Sequence, residues 1–405
     1  MSVSKESKYE TYERAEEVAR YYGFLPLDEV VKSAQEHLFR DGIKKTIKLQ
    51  TPKDFPGEID RTGLMKAFLD YNFSALPQPV MIYHSEPLKS YMERSDYGGK
   101  DGVLFSLEII GSPKSIAEAL LLKTTSVILE ESGFDNITID ANSLGDKESI
   151  VRFTREFSNF CKKHMDEMPS HCKNNLKKDV FKVLECRNEK CTIFREHAPK
   201  PLGSLSENSR THFAEVLEFL ESMDIPYNIN NSLTGEKDCY TKSIFEIKNV
   251  GENKLASKKK LSDTLARGGR YDELSKQLGN KKEIPAVGIS ISMGGFGLHE
   301  PKEHHSKRLK KPKAFLIHLG FEAKIKSLKA IEILRHAKIP IFQSLSKDRL
   351  SAQITNAENT GIPYMIIIGH KEALEGTAIV RDMGRRCQET VSLKDIPSFL
   401  KGMEK

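Results

Sequence analysis

Apolar positions recur along this chain with two different periods, and each change of period marks a change of element. Tyr12, Ala15, Val18, Ala19 and Tyr22 follow at steps of three and four, which predicts an amphipathic helix over 8–23 ended by Gly23. Phe24 to Leu27 reads as the start of a strand, and the run from Val80 to Tyr83 as another. Val103 to Ile110 alternates as a strand does and Gly111 breaks it, after which 116–131 carries a helical stripe through Ala119, Leu120, Thr124 and Val127. From 148 to 225 the pattern is helical and charged. Phe153, Phe157, Phe160 and Cys161 mark one face there, and Phe213, Val216, Leu217 and Leu220 another. A polar, basic, proline-bounded stretch at 299–313 reads as a linker. Beyond it, strands at 314–319, 339–342, 363–369 and 376–381 alternate with helices at 322–337 and 348–360. That order predicts a separate small domain with a mixed or parallel sheet and helices on both faces.

Residues 264–288 concentrate chemistry. Gly268 and Gly269 precede Arg270, Tyr271 and Asp272, then Leu274, Leu278 and Ile284 follow at helical spacing and Pro285 leads into an apolar run. The pattern predicts a tight backbone entry, a short helix and a buried strand. A glycine pair lets main chain approach a ligand, Tyr271 offers a ring with a hydroxyl, and Arg270 or Asp272 can fix a polar group. The same residues also suit a turn that closes on a core helix.

Composition narrows the class. With 405 residues, 38% hydrophobic and 30% charged, the chain has the balance of a globular protein of roughly two or three domains. A net charge of +6 permits contact with polyanions without demanding it. No apolar run reaches the roughly 18 residues of a membrane span, and the polar N-terminal stretch does not read as a signal sequence, so a cytoplasmic protein with no membrane partner is expected. The six cysteines form no disulfide framework. Cys161, His164, His171, Cys172, Cys186 and Cys191 lie close in sequence, and the gap from Cys186 to Cys191 is ligand-like, but a Cys-x2-Cys pair is lacking. Free thiols without a metal are the expectation.

The Gly268 to Asp272 signature, with Pro285-Ala286-Val287-Gly288 after it, resembles that of histidyl-tRNA synthetases. Stretches 104–122, 137–149, 240–246 and 361–383 resemble the same family in order and spacing. The resemblance implies an α/β (α+β) fold, with a class II antiparallel sheet flanked by helices. A helical insertion and a C-terminal α/β anticodon-binding domain complete it. It implies core segments at 1–147 and 226–298, the insertion at 148–225, a linker at 299–313 and the anticodon-binding domain at 314–405. A homodimer follows from it, since the first class II motif builds the dimer interface. It also implies a histidine-like pocket of Glu108, Tyr240, Tyr271, Gly268 and Gly269, with Glu58 standing in for the glutamate that holds the amino group. Lys162, Lys163, Lys173, Lys177 and Lys178 of the insertion could meet phosphates or be a solvated face. Arg349, Arg381, Arg385 and Arg386 are the RNA-binding candidates, and Ser351-Ala352 replaces a usual lysine pair before Gln353.

Three family arginines are replaced. Ser90 stands near the one that grips the ATP α-phosphate, Gly235 at the one peculiar to histidyl enzymes, and Gly295 at the one that meets adenine and the γ-phosphate. A family glutamine also falls on Leu104. Adenylate formation brings two anions together, and losing one preorganised donor typically costs a factor of about a hundred to a thousand. The resemblance therefore implies no confident catalytic residue and no ATP or Mg. What remains is a binding or regulatory protein for tRNA or a histidine-like small molecule. The alternative is an active histidine-tRNA ligase that uses ATP and Mg, with Lys89, Arg94, Lys100 or Lys237 replacing the guanidiniums.

Overall fold

The structure is a computed structural model that describes residues 5–40, 61–87, 102–186, 188–235, 239–250, 264–294, 312–343 and 349–403. The chain divides into two compact units, one of residues 1–93, 99–134 and 293–405, the other of 94–98 and 135–292.

In the first unit, α1 (Lys5–Tyr21) buries Ala15, Val18 and Ala19 on one face and stops at Gly23, whose φ of +94° suits glycine. The strand expected over 24–27 is only β1 (Leu25–Pro26), because α2 (Leu27–Arg40) begins at once. Asp28 and Glu29 favour its positive N-terminal end, and Leu27, Val30, Val31 and Ala34 form its buried stripe. Next come α3 (Arg61–Asp70), β2 (Val80–Pro87), β3 (Gly102–Ile110) and α4 (Ile116–Glu131). β1 runs parallel to β2, and β2 antiparallel to β3 with His84 opposite Ser106 and Ile82 opposite Glu108. Helix α4 is buried from Ile116 to Leu129 on every side, so it is a core helix rather than a surface one.

The second unit holds β4 (Ile137–Gly145), α5 (Lys147–Lys163), α6 (Ser170–Lys178), α7 (Phe181–Leu184), α8 (Glu189–Glu196) and α9 (Glu207–Ser222). β5 (Tyr227–Ile229), β6 (Thr241–Asn249), β7 (Thr264–Arg270), α10 (Leu274–Gln277) and β8 (Ala286–Gly294) complete it. Its strands lie in the order β8-β7-β6-β4-β5, antiparallel except for the β4–β5 pair. Phe153, Phe157 and Cys161 on α5 bury one stripe against Phe181, Leu184 and Phe194.

The C-terminal part of the first unit has β9 (Ala314–His318), α11 (Phe321–His336), β10 (Ile341–Gln343), α12 (Leu350–Thr360) and β11 (Tyr364–Ile368). α13 (His370–Glu375), β12 (Thr377–Asp382), β13 (Gln388–Ser392) and α14 (Ile396–Gly402) follow. The sheet is mixed: β10, β9 and β11 are parallel, and β12 and β13 turn antiparallel. Helix α13 occupies what reads in sequence as a turn, held at its start by the Gly369 amide donating to Glu372 Oε2 at 3.0 Å and ended by Gly376 at φ +68°. Within this unit α11 docks beside α1, where the Tyr22 hydroxyl donates to Glu332 and Gln343 Nε2 donates to the Tyr22 carbonyl at 3.1 Å.

Candidate functional site

The glycine pair does not form a turn. Gly268 and Gly269 lie in the middle of β7, between β6 and β8. What requires glycine is crowding: a Cβ on Gly268 would stand 2.2 Å from the Gly288 carbonyl oxygen, and one on Gly269 would stand 2.7 Å from the Ser243 carbonyl oxygen and 2.8 Å from Tyr240 Cδ1. Gly235, at φ +61°, closes on the other edge of the same ring, where a Cβ would meet Tyr240 Cδ2 at 2.8 Å. The Tyr240 ring is thus clamped between two stretches of bare backbone, and it is buried. Tyr271 is buried as well, its amide donating to the Ala286 carbonyl at 2.8 Å.

Beside this clamp the charges converge on Asp272. Its Oδ1 accepts from Arg270 Nη1 at 3.1 Å and from the Ala286 amide at 3.0 Å, and its Oδ2 from Lys242 Nζ at 2.7 Å. Arg270 has no exposed surface, so its charge is committed to the interior. Lys242 reaches Asp272 from an irregularity in the β6–β7 register, with φ +54°, a device that re-aims a side chain. A cavity of about 360 Å³ opens here, lined by Lys147, Lys242 and Lys276 but also by Asp146, Glu148, Asp272, Glu273 and Glu283. Carboxylates outnumber amines, which is the wrong balance for a triphosphate. Asp146 is itself occupied: burial pushes its carboxyl up, but hydrogen bonds from Ser206, Ser149 and Ser209 outweigh that and hold it near about 2. Through them it caps α5 and ties in the start of α9.

Glu108 lies in the other unit and is 1% exposed. It sits on β3 with Arg61 Nε 3.5 Å away, at the start of α3. Two positions along, His84 is buried opposite Ser106; burial and then the Arg61 charge lower its imidazole to about 4, so it is neutral at neutral pH. Arg61 and His84 were not legible as site residues, since only the fold brings Arg61 to Glu108 and sets its charge near His84.

Of the remaining sequence-predicted residues, Glu58, Ser90 and Gly295 lie outside the described residues, as do Lys89, Arg94, Lys100 and Lys237. Arg381, Arg385 and Arg386 share one end of the β12–β13 hairpin, whereas Arg349 stands just before α12 and makes no capping bond to it with its side chain. Arg385 and Arg386 are exposed. Gln353 is buried and bonds both backbone groups of His318, at 2.9 and 3.3 Å, so its role is in the fold. Of the cysteines and histidines that lie close in sequence between 161 and 191, His171, Cys172, Cys186 and Cys191 come together with all ligand atoms within 4.8 Å of one another.

Comparison with known proteins adds independent findings. Residues 313–403 match the family described as "Anticodon binding domain". A histidine–tRNA ligase of Halothermothrix orenii is 28% identical over 340 residues, covering 82% of this chain and 78% of the relative. One of Fervidobacterium nodosum is 29% identical over 322 residues, covering 79% and 74%. The crystal structure of apo Staphylococcus aureus histidyl-tRNA synthetase aligns with a TM-score of 0.50 at 20% identity over 98% of this chain and 96% of that one, a likeness of fold. Among the described residues no helix is long and apolar enough to cross a membrane.

Proposed function

Because the chain belongs to the histidyl-tRNA synthetase family, we propose that it is a synthetase-like binding or regulatory protein that has lost ATP-dependent histidine activation and contacts tRNA. The observation that carries this reading is the clamp at Tyr240. Gly235 stands where the family resemblance calls for an arginine, and even a single added carbon there would meet the ring at 2.8 Å on a backbone at φ +61°. A guanidinium cannot be restored at that position without moving the pocket wall. Glu108, which the resemblance assigns to the substrate imidazole, is already faced by Arg61 of its own chain. In this reading Tyr240, Tyr271, Gly268 and Gly269 hold what is left of a histidine-like pocket. Arg381, Arg385 and Arg386 supply phosphate contacts in a cytoplasmic homodimer, and 148–225 acts as an insertion between the core segments 1–147 and 226–298.

The second reading, an active ligase that uses ATP and Mg, is favoured by the relatives' names and by their coverage of this chain. Lys242 is the described cation nearest to serving it, although Asp272 holds its amine at 2.7 Å. Histidine-dependent exchange of pyrophosphate into ATP separates the two. The proposal expects background exchange, together with salt-dependent binding of tRNA; exchange well above background selects the ligase, and no RNA binding at low salt removes the tRNA contact.

A further inference from the structure

We propose that His171, Cys172, Cys186 and Cys191 form a structural zinc site that staples the short helices of the insertion. The ligands come from three places: His171 and Cys172 from the first turn of α6, Cys186 from the turn after α7, and Cys191 from the first turn of α8. His171 Nε2 lies 3.1 Å from Cys186 Sγ, and Cys172 Sγ lies 3.1 Å from Cys191 Sγ. A tetrahedral zinc with bonds of about 2.3 Å to sulfur and about 2.0 Å to nitrogen sets its ligand atoms roughly 3.5 to 3.8 Å apart. The two short separations and the 4.8 Å limit of the group bracket that spacing, so small side-chain adjustments suffice. Three thiolates and one imidazole are a soft donor set that selects zinc over magnesium or calcium, and four protein ligands close the coordination sphere.

The local fold shows why a metal belongs here. Helices α6, α7 and α8 have nine, four and eight residues, each below the roughly 12 to 15 that an isolated helix needs. Their apolar sides share one cluster with α5 that includes Phe181, Leu184 and Phe194, and the four ligands lie where the three short helices meet. The outer shell is also in place. Arg195 donates to the carbonyls of Cys186 and Val183, and the Asn188 side chain accepts the Lys190 amide at 3.1 Å, fixing the loop from Cys186 to Cys191. A disulfide between Cys172 and Cys191 would use two of the four groups and leave His171 beside Cys186 without a purpose.

The test uses the full-length protein, expressed with zinc, desalted and analysed by elemental mass spectrometry. About one zinc per chain is expected, with the Cys387→Ser control unchanged and the metal lost in Cys172→Ser. Because the serine variant could fail to fold, the unsubstituted chain is also stripped with a chelator and titrated with cobalt. It should then give the visible bands of tetrahedral cobalt thiolate, and its melting temperature should fall on stripping and recover with zinc. Protein that carries no zinc and gives no tetrahedral cobalt spectrum overturns the proposal, as does a Cys172–Cys191 disulfide found by peptide mapping of protein kept from air.

Discussion

Arg270 and the pair Arg385–Arg386 are the same side chain put to opposite uses. Arg270 lies wholly inside the second unit and is tied to Asp272, while Arg385 and Arg386 stand exposed on the β12–β13 hairpin. Arg385 has only a loose approach to Asp382 at 4.0 Å, and an exposed pair of that kind is worth little. A guanidinium in the interior is held by its carboxylate, is costly to leave unpaired and is unavailable to a ligand; one on the surface adds almost nothing to stability and is open to a phosphate. Counting basic residues cannot tell these roles apart. In the family-like core Arg270 is of the first kind, and Lys242 and Lys276 are each engaged by a carboxylate, whereas Arg385 and Arg386 of the C-terminal part stand open to solvent.

Four substitutions probe this contrast, in order of expected effect. Asp272→Ala should cost the most, about 3–5 kcal/mol by urea denaturation, because it leaves Arg270 and Lys242 in one place without the carboxylate between them; a cost under about 1 kcal/mol would mean that the interior charge is not structural. Gly235→Ala should cost about 1–3 kcal/mol through the Tyr240 contact and its left-handed backbone. Removal of the Asp146 caps by Asp146→Ala should cost about 1–2 kcal/mol. Arg385→Ala with Arg386→Ala should shift stability by no more than about 0.5 kcal/mol, yet lower the slope of log affinity for RNA against log salt by roughly one per arginine.

Acid should act on the two units in separate windows. His84 has its folded value lowered to about 4, so the unfolded chain binds the proton first, and its contribution is complete above about 6.5 and declines as pH falls towards 4. Asp146 has its folded value depressed to about 2, so its contribution is present above about 3.9 and is lost as pH falls towards 2. Stability curves of His84→Gln and Asp146→Asn should each flatten in one window and not in the other.

Much of the fold was legible from apolar segments of the right length, even where the structure buries them on every side, as it does α4 and β9. Strand β3, helix α4 and the alternating elements of the C-terminal domain form where the apolar segments place them, and a mixed sheet was among the arrangements those elements allowed. Helix α2 was missed although Leu27, Val30, Val31 and Ala34 carry its stripe, since the strand signal at Phe24 to Leu27 stood in front of it. Gly268 and Gly269 need bare backbone because neighbouring strands and the Tyr240 ring press on them, a cause that composition cannot distinguish from a turn or a ligand's approach. The ion-pair partner of Glu108 was not legible, because Arg61 is far away in sequence and only the fold brings it within 3.5 Å. The Cys186 group was noticed in sequence but read as free thiols, since a Cys-x2-Cys pair was lacking and its four side chains are gathered by three helices and not by a short spacing.

The central claim is that a pocket related to one that joins histidine to ATP now lacks the positive charge for doing so. Histidine-dependent ATP–pyrophosphate exchange by the purified full-length protein tests it most directly. The account predicts a rate indistinguishable from a no-histidine control; sustained, saturable exchange on adding histidine would contradict it.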